Sequence, residues 1–202
     1  MLDMINAAAL TAATGSALAL GGLLALALVK EGLVFWPAPG KKSWQFRVAF
    51  GLFRVFCGAT IIFALTDWGS MGWEHWSRLA IGAPLMVGAF AATIYGYFFL
   101  GLDNTYCEAD GLVTRGVYAY SRNPQYVASV LATVGLALTT GSWGGLLLAG
   151  VLLAIYTLFA LNEERWLWEN YGYAFGRYVK RTPRFVDGRS IRLARNKLAE
   201  AL

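Results

Sequence analysis

The stretch "PQYVASVLATVGLALTTGSWGGLLLAGVLLAIYTLFAL", residues 124–161, contains two apolar runs joined by a short connection rich in glycine. The runs cover residues 124–140 and 143–161 and carry no charged side chain. Each is close to the roughly 20 residues that cross the hydrocarbon core of a bilayer. The connection "TTGSWGG" is short enough to reverse the chain between two antiparallel helices. This stretch therefore predicts a helical hairpin in a membrane.

The rest of the chain has the same apolar character. Of its 202 residues, 57% are hydrophobic and 14% are charged, whereas a soluble domain usually has about 25% charged residues. Three further apolar runs are long enough to form spans. The predicted fold is all-α, a multi-pass transmembrane bundle of about five spans with C-terminal cytoplasmic helices. The predicted spans are residues 7–29, 48–66, 79–100, 124–140 and 143–161.

The chain is predicted to form a single domain, 1–202. The first apolar run is expected to be a retained span, because its flank "MLDMIN" has an aspartate and no basic residue, and the run is longer than a signal peptide's apolar region. Within the domain, 1–106 contains the N-terminal spans and 107–186 contains the polar motifs and the hairpin. The remainder, 187–202, is a basic amphipathic tail expected to lie on an anionic leaflet.

The basic residues lie mostly on one side of the predicted spans. All lysines and arginines except Arg54 and Arg78 fall in the loops 30–47 and 101–123 or after residue 161. The positive-inside rule places these segments in the cytoplasm and the N-terminus outside. Arg54 lies within the second span, where snorkelling to the headgroups or a structural ion pair is favoured over a functional role.

The composition argues against several kinds of site. The single histidine, His75, rules out a histidine-based metal cluster, and Cys57 and Cys107 have neither zinc spacing nor a disulfide framework around them. No metal is therefore expected. No glycine-rich phosphate or dinucleotide loop is present. The net charge of +5 is attributed to contacts with lipid headgroups rather than nucleic acid, so membrane lipids are the expected partners and the oligomeric state is left open.

A first polar cluster covers residues 110–126, just before the hairpin. In "SRNPQY", Pro124 suits the first turn of a helix and Asn123 suits the cap position, where its amide oxygen would accept from backbone N–H groups. Arg122 beside a helix N-terminus makes a candidate anion site, and Tyr126 lies four residues further on. An ordinary helix cap with a snorkelling arginine explains the same residues.

A second polar cluster, residues 162–181, follows the hairpin and emerges on the same membrane face. Its adjacent carboxylates, Glu163 and Glu164, point about 100° apart on a helix. One of them could face an internal pocket and bind a cationic ligand, while the other bonds to Arg165, Arg122 or water. The alternative is a solvated helix face.

Together, "GLVTRGVYAYSRNPQYV" and "NEERWLWENYGYAFGRYVKRTPRFV", within residues 108–186, resemble the isoprenylcysteine carboxyl methyltransferase and phospholipid methyltransferase superfamily. The resemblance implies an integral membrane methyltransferase that binds S-adenosyl-L-methionine in a non-Rossmann pocket on the cytosolic side. It implies catalytic roles for Arg122, Glu163 and Glu164. By position, the implied cofactor-binding residues are Leu112, Val113, Gly116, Tyr118, Arg122, Asn123, Tyr126, Glu163 and Glu164, and Tyr178 and Arg181 belong to a covering segment.

Two departures from the family pattern affect the expected substrate. Asn123 stands where the eukaryotic prenylcysteine enzymes usually have histidine, so a proton-accepting role is not expected there. Members with bacterial-like sequences read R-N-P, which favours a bacterial inner membrane. "YTLFAL" also lacks the arginine that those prenylcysteine enzymes carry one turn before the acidic pair.

The expected acceptor is a lipidic or hydrophobic small molecule, methylated on oxygen as in an isoprenylcysteine carboxylate. Methylation of a phospholipid amine or of a thiol is the alternative within the superfamily. A reductase similar to the sterol reductases, which use NADPH, and a non-catalytic membrane carrier or assembly protein are the alternatives from other classes.

Overall fold

A computed structural model describes residues 1–72, 76–101 and 111–200 of the chain. His75 and Cys107, which the sequence left without a role, lie outside the described residues. All regular secondary structure in the described ranges is helical, which confirms the predicted all-α class. The helices are α1 (Leu2–Val29), α2 (Trp44–Thr66), α3 (Ser77–Leu100), α4 (Pro124–Thr140), α5 (Trp143–Arg181) and α6 (Gly188–Glu200), with a 3₁₀ turn at Gly116–Ala119.

The helices make this an integral membrane protein. Within the described residues, α1, α2, α3 and α5 are long and apolar enough to cross a bilayer. The fourth predicted span, residues 124–140, is also a helix with the predicted bounds, but α4 has 17 residues, or about 25 Å at 1.5 Å per residue. It is therefore shorter than the roughly 30 Å hydrocarbon core, while α5 continues well beyond residue 161.

The predicted helical hairpin is confirmed. Gly141, at the end of α4, has φ 64° and ψ 40°, a left-handed conformation that glycine adopts without strain. Ser142 then caps α5, because its hydroxyl accepts from the backbone N–H of Gly145 at 2.8 Å. The same hydroxyl donates to Asp67 Oδ2 at 2.5 Å. The turn is thus tied to the end of α2.

Helices α3 and α4 approach each other closely along their length. A Cβ atom added to Gly82 would lie 2.5 Å from the backbone nitrogen of Thr139, and one added to Gly135 would overlap the backbone of Met86. Small residues allow this approach between helices in a membrane, where dispersion contacts drive packing. The glycines therefore set the position of α4, and with it the position of the first polar cluster.

Helix α5 joins this pair to a second pair, α1 and α2. Buried side chains of α1, α2 and α5, including Leu20, Phe56 and Ile155, form one apolar core. Helix α5 also packs against α4. Helix α2 packs on α1, and α3 packs on α4. Between the two pairs, at the end of the bundle where α4 begins, there is an enclosed space.

The chain after residue 171 folds back over that end of the bundle. Gly172, whose φ is 43° and ψ is −115°, interrupts α5. We call residues 178–190 the C-terminal strap, because side chains of the strap donate hydrogen bonds to carbonyls of the segment 118–120. These bonds run from Tyr178 to Tyr118 at 2.6 Å, from Thr182 to Ala119 at 3.2 Å and from Ser190 to Tyr120 at 2.7 Å.

The amphipathic tail is a helix, α6, as the sequence predicts. Ile191 on this helix is largely exposed, next to a series of arginines. Its location on a lipid leaflet stays a prediction.

Candidate functional site

A cavity of about 190 Å³ lies at the end of the bundle where the two polar clusters meet. Its walls come from α2, α3, α4, α5, the loop that contains Trp36 and the segment before α4. Two stretches separated by the whole hairpin are therefore brought together. The sequence-predicted site residues in its wall are Leu112, Val113, Tyr118, Arg122, Asn123, Tyr126, Glu163 and Glu164.

Gly116 is the exception among the predicted cofactor-binding residues. It does not line the cavity. Its φ is 63°, and a Cβ atom there would overlap the ring of Phe99. Glycine is needed at this position for a left-handed turn against an aromatic ring, so its contribution is to the shape of the chain before α4.

The covering segment is present in part. Tyr178 lines the cavity, whereas Arg181 does not. The Tyr178 hydroxyl donates its proton to the Tyr118 carbonyl, so that proton is not available to a ligand.

Glu163 faces the cavity and is held by two neutral donors. Its Oε1 atom accepts from the Trp36 indole N–H at 2.8 Å and from the Tyr126 hydroxyl at 2.6 Å. Tyr126 in turn stacks on Tyr156, with ring centroids 4.1 Å apart. No lysine or arginine among the described residues forms an ion pair with Glu163. The carboxylate is therefore oriented but not neutralised.

Glu164 takes different partners, as the 100° between adjacent helix positions predicts. Arg122 Nη2 lies 3.1 Å from Glu164 Oε1, and Arg184 donates to both carboxylate oxygens. Arg122 was among the predicted partners. Arg165 is not a partner, since it pairs with Glu169 one turn further along at 3.5 Å.

Arg122 is buried, with 9% of its side chain exposed. Its Nη2 atom faces Glu164, while Nε and Nη1 are buried and have no hydrogen-bond partner in the described part of the chain. Its guanidinium carbon lies 5.9 Å from the centre of the Phe175 ring. Burial lowers the pKa of Arg122, and Glu164 opposes that shift. The result is a guanidinium with two N–H groups left for another anion.

Asn123 occupies the N-cap position of α4, and Pro124 begins the helix, as predicted. The predicted side-chain cap is wrong. The Asn123 amide makes no capping bond and instead donates from Nδ2 to the Arg184 carbonyl at 3.1 Å. The Asn123 side chain therefore bonds to the strap instead of to the backbone of α4.

Three residues with polar contacts in or beside the cavity were missed by the sequence reasoning. Trp36 belongs to a loop that precedes α2, and Gln125 is a polar residue at the start of α4. Arg184, in the strap, reaches the site through Glu164. Only Gln125 had a signal, because it is a polar residue within the motif "SRNPQY" at the mouth of an apolar helix.

The fold and the cavity define a class: a helical membrane protein whose motif residues surround a cavity at one end of its bundle. Residues 77–174 match the phospholipid methyltransferase family, and the chain belongs to this family of membrane methyltransferases. The match covers α3, α4 and most of α5, and it ends before the strap.

Two curated relatives are similar over most of the chain. The nickel-cobalt-cadmium resistance protein NccN of Alcaligenes xylosoxydans xylosoxydans is 30% identical over 151 residues, which are 74% of this chain and 69% of that protein. The cobalt-zinc-cadmium resistance protein CzcN of Cupriavidus metallidurans is 29% identical over 149 residues, 72% of this chain and 66% of that protein. The chain therefore spans about two thirds of their length. No solved structure matches the chain significantly.

The metals in the names of these relatives have no evident counterpart in the described residues. Within ranges 1–72, 76–101 and 111–200, no group of three or more His, Cys, Asp or Glu side chains is placed to hold a metal ion.

Proposed function

We propose that the protein is an S-adenosyl-L-methionine-dependent methyltransferase that acts on a lipidic or hydrophobic acceptor within the membrane. The observation that carries the proposal is the presence of two incompletely satisfied charges in one cavity. Arg122 has two buried N–H groups without partners, and Glu163 has no described cation beside it. Because buried charges are costly unless paired, the cavity suits a ligand that carries both signs.

The residues fit the cofactor. S-adenosyl-L-methionine carries a carboxylate, an ammonium group and a sulfonium centre, and when bound it supplies an electrophilic methyl group. The unpartnered nitrogens of Arg122, Nε and Nη1, suit the carboxylate, since a hydrogen bond from a guanidinium to a carboxylate is strengthened by both charges. Glu163 suits the cationic groups. The Tyr118 hydroxyl, also buried without a partner, suits the ribose, while Leu112 and Val113 offer an apolar surface for the adenine.

The protein's own contribution is to position the reactants and exclude water. Trp36 and Tyr126 fix the orientation of the Glu163 carboxylate through two hydrogen bonds. The strap is bonded to the segment before α4, and its Tyr178 contributes to the cavity wall. Holding two reactants in a productive geometry can account for roughly 7–11 kcal/mol of a barrier, and a dry site strengthens the charge interactions within it.

Proton transfer depends on the acceptor. A carboxylate needs no base, whereas an amine must lose a proton before it is methylated. Glu163 Oε2 accepts no hydrogen bond from the described residues, so it is the atom that would take that proton.

The acceptor reaches the cavity from the bilayer, between α2 and α3. The cavity wall includes Phe50 and Phe53 of α2 and Tyr97 and Leu100 of α3. Each of these helices packs against other helices of the bundle, and no extensive contact joins α2 to α3 in the described residues. A lipid could therefore enter sideways without unfolding a packed interface. We favour oxygen as the methylated atom, as in an isoprenylcysteine carboxylate.

We propose that the cavity lies on the cytoplasmic side of a bacterial inner membrane, with the N-terminus outside, because the basic residues are concentrated in the segments at that end of the bundle. The bacterial relatives are consistent with this location. Cysteine labelling from either side of the membrane at Gly40 and Ser70 would test the orientation, since these positions lie at opposite ends of α2.

Calorimetry of the purified protein with S-adenosyl-L-methionine, S-adenosylhomocysteine and NADPH tests the proposed function. We expect the first two to bind and NADPH not to bind. Labelled methyl groups should then appear in one component of a total lipid extract. Binding of NADPH alone would identify a reductase, and binding of none of the three would indicate a non-catalytic membrane protein.

A further inference from the structure

Gln125 is a buried polar side chain that the assignments so far do not use. It is the second residue of α4 and lines the cavity, and it is 6% exposed. Its Nε2 atom is buried and has no hydrogen-bond partner in the described ranges. A buried amide N–H without a partner destabilises the fold. A ligand that offers an accepting atom would remove this cost.

The position of Gln125 is set by α3. A Cβ atom added to Gly96 would lie 2.6 Å from Gln125 Cγ, so the absence of a side chain at Gly96 makes room for the glutamine. Tyr126, the next residue, points about 100° further around α4 and donates to Glu163 on α5. Gln125 and the Glu163 carboxylate therefore lie on different flanks of the cavity.

The two flanks have different chemistry. The α5 flank carries Glu163 and Glu164, and Arg122 reaches Glu164 from the segment before α4. The α3 flank carries Tyr97, Leu100 and the neutral amide of Gln125, and it borders the space between α2 and α3 through which a lipid would enter. The unpartnered donor on this flank is placed for the acceptor rather than for the cofactor.

We infer that Gln125 binds the methyl acceptor, donating from Nε2 to an oxygen atom of a lipid headgroup. This inference rests on the proposed function and narrows its substrate class to lipids with an anionic oxygen group, such as a carboxylate. The unpartnered Nε2 atom is a donor and cannot bond to a protonated amine, which could bond only to the amide oxygen of Gln125. A thiol is only a weak acceptor. Because the atom left without a partner is the donor, Gln125 favours an oxygen headgroup over an amine or a thiol.

Three probes with the same twelve-carbon chain test the selection: laurate, dodecylamine and dodecanethiol. Their dissociation constants are measured on the full chain in detergent, with and without saturating S-adenosylhomocysteine. We expect laurate to bind most tightly. Gln125→Met keeps the length of the side chain and removes its N–H groups, and it should raise the Kd for laurate about tenfold, the loss expected for one hydrogen bond. Gln125→Glu should raise it further through repulsion of the carboxylate.

The matched control is Gln45→Met, since Gln45 does not line the cavity and donates to the Val34 carbonyl. It should leave the affinity for laurate unchanged. The affinity of the Gln125 variants for S-adenosylhomocysteine should stay within about twofold of wild type, which also reports on their folding.

Several results would overturn the inference. Equal laurate affinity in wild type and both variants would remove Gln125 from acceptor binding, as would failure of laurate to bind wild type. Loss of S-adenosylhomocysteine affinity would assign Gln125 to the cofactor instead. Preference for dodecylamine, made tighter by Gln125→Glu, would reverse the substrate class. Failure of wild type to bind the cofactor would refute the proposed function. The laurate measurements without S-adenosylhomocysteine would still show whether Gln125 contributes to laurate binding.

Discussion

Arg184 binds Glu164 through two parallel hydrogen bonds, from Nε to Oε1 at 2.7 Å and from Nη2 to Oε2 at 2.9 Å. The bonds raise the pKa of Arg184, so its guanidinium stays charged. Arg122 also reaches Oε1 of the same carboxylate. Glu164 therefore links the strap to the segment before α4. Its charge is neutralised by the protein, and Glu163 alone is left to attract a cationic ligand.

Replacement of Glu164 should loosen the strap. In Glu164→Gln the two arginines lose a charged acceptor, and we expect the free energy of unfolding to fall by about 2–3 kcal/mol. Unfolding in detergent and limited proteolysis after residue 177 would measure the effect. Glu169→Gln, which breaks an exposed pair, should cost less than about 0.5 kcal/mol. Equal losses in the two variants would contradict a structural role for Glu164.

Replacement of Arg122 should weaken binding of the cofactor. Because Nε and Nη1 have no partners in the described residues, Arg122→Ala removes two bonds to an anion and should raise the Kd for S-adenosyl-L-methionine on the order of 10- to 100-fold. Arg122→Lys keeps the charge but lacks the planar guanidinium, so its Kd should lie between those of wild type and Arg122→Ala. Arg177→Ala, on the exposed side of α5, is the control. If calorimetry finds that a folded Arg122→Ala protein binds S-adenosyl-L-methionine as tightly as wild type, Arg122 does not bind the cofactor.

Glu163→Gln should weaken binding of S-adenosyl-L-methionine more than binding of S-adenosylhomocysteine. The amide oxygen can still accept from Trp36 and Tyr126, but the negative charge is gone. We expect affinity for S-adenosyl-L-methionine to fall about tenfold, and affinity for S-adenosylhomocysteine, which lacks the sulfonium charge, to fall less. Paired titrations would give the ratio. If both ligands bind the variant as they bind wild type, Glu163 does not face the cationic end of the cofactor.

Gly116→Ala should lower stability and spare the binding site. The left-handed backbone and the overlap with Phe99 should cost about 1–3 kcal/mol together. Addition of Phe99→Ala should recover part of the loss by making room for the methyl group. Gly40→Ala, with open space around its Cβ position, serves as the control. A fall in cofactor affinity at unchanged melting temperature would return Gly116 to the binding wall.

Gly135→Ala should separate α3 from α4. The new methyl group meets the backbone of Met86, and backbone cannot move aside as a flexible side chain can, so we expect a loss of about 1–3 kcal/mol. Gly15→Ala on α1, where the Cβ position has open space, should change stability far less. Thermal unfolding of both proteins in the same detergent would compare them, and similar melting temperatures would argue against the close approach.

Much of the site could be predicted from local sequence. Arg122, Glu163 and Glu164 were identified because charged residues beside membrane spans stand out, and because a helix separates adjacent side chains by about 100°. Arg184, Trp36 and Gln125 could not be ranked in this way. Arg184 is one of several arginines near the C-terminus, and nothing in its neighbourhood marks it as the partner of Glu164.

The sequence by itself determined the helices and the hairpin, because apolar run lengths and turn residues act over a few neighbouring positions. Only the tertiary structure decided which glutamate faces the cavity, that Asn123 bonds to the strap instead of capping α4, and that Gly116 supports a turn. Those outcomes depend on contacts between distant parts of the chain, such as Trp36 with Glu163. Local propensity cannot specify them, since each is a competition among partners that only folding brings together.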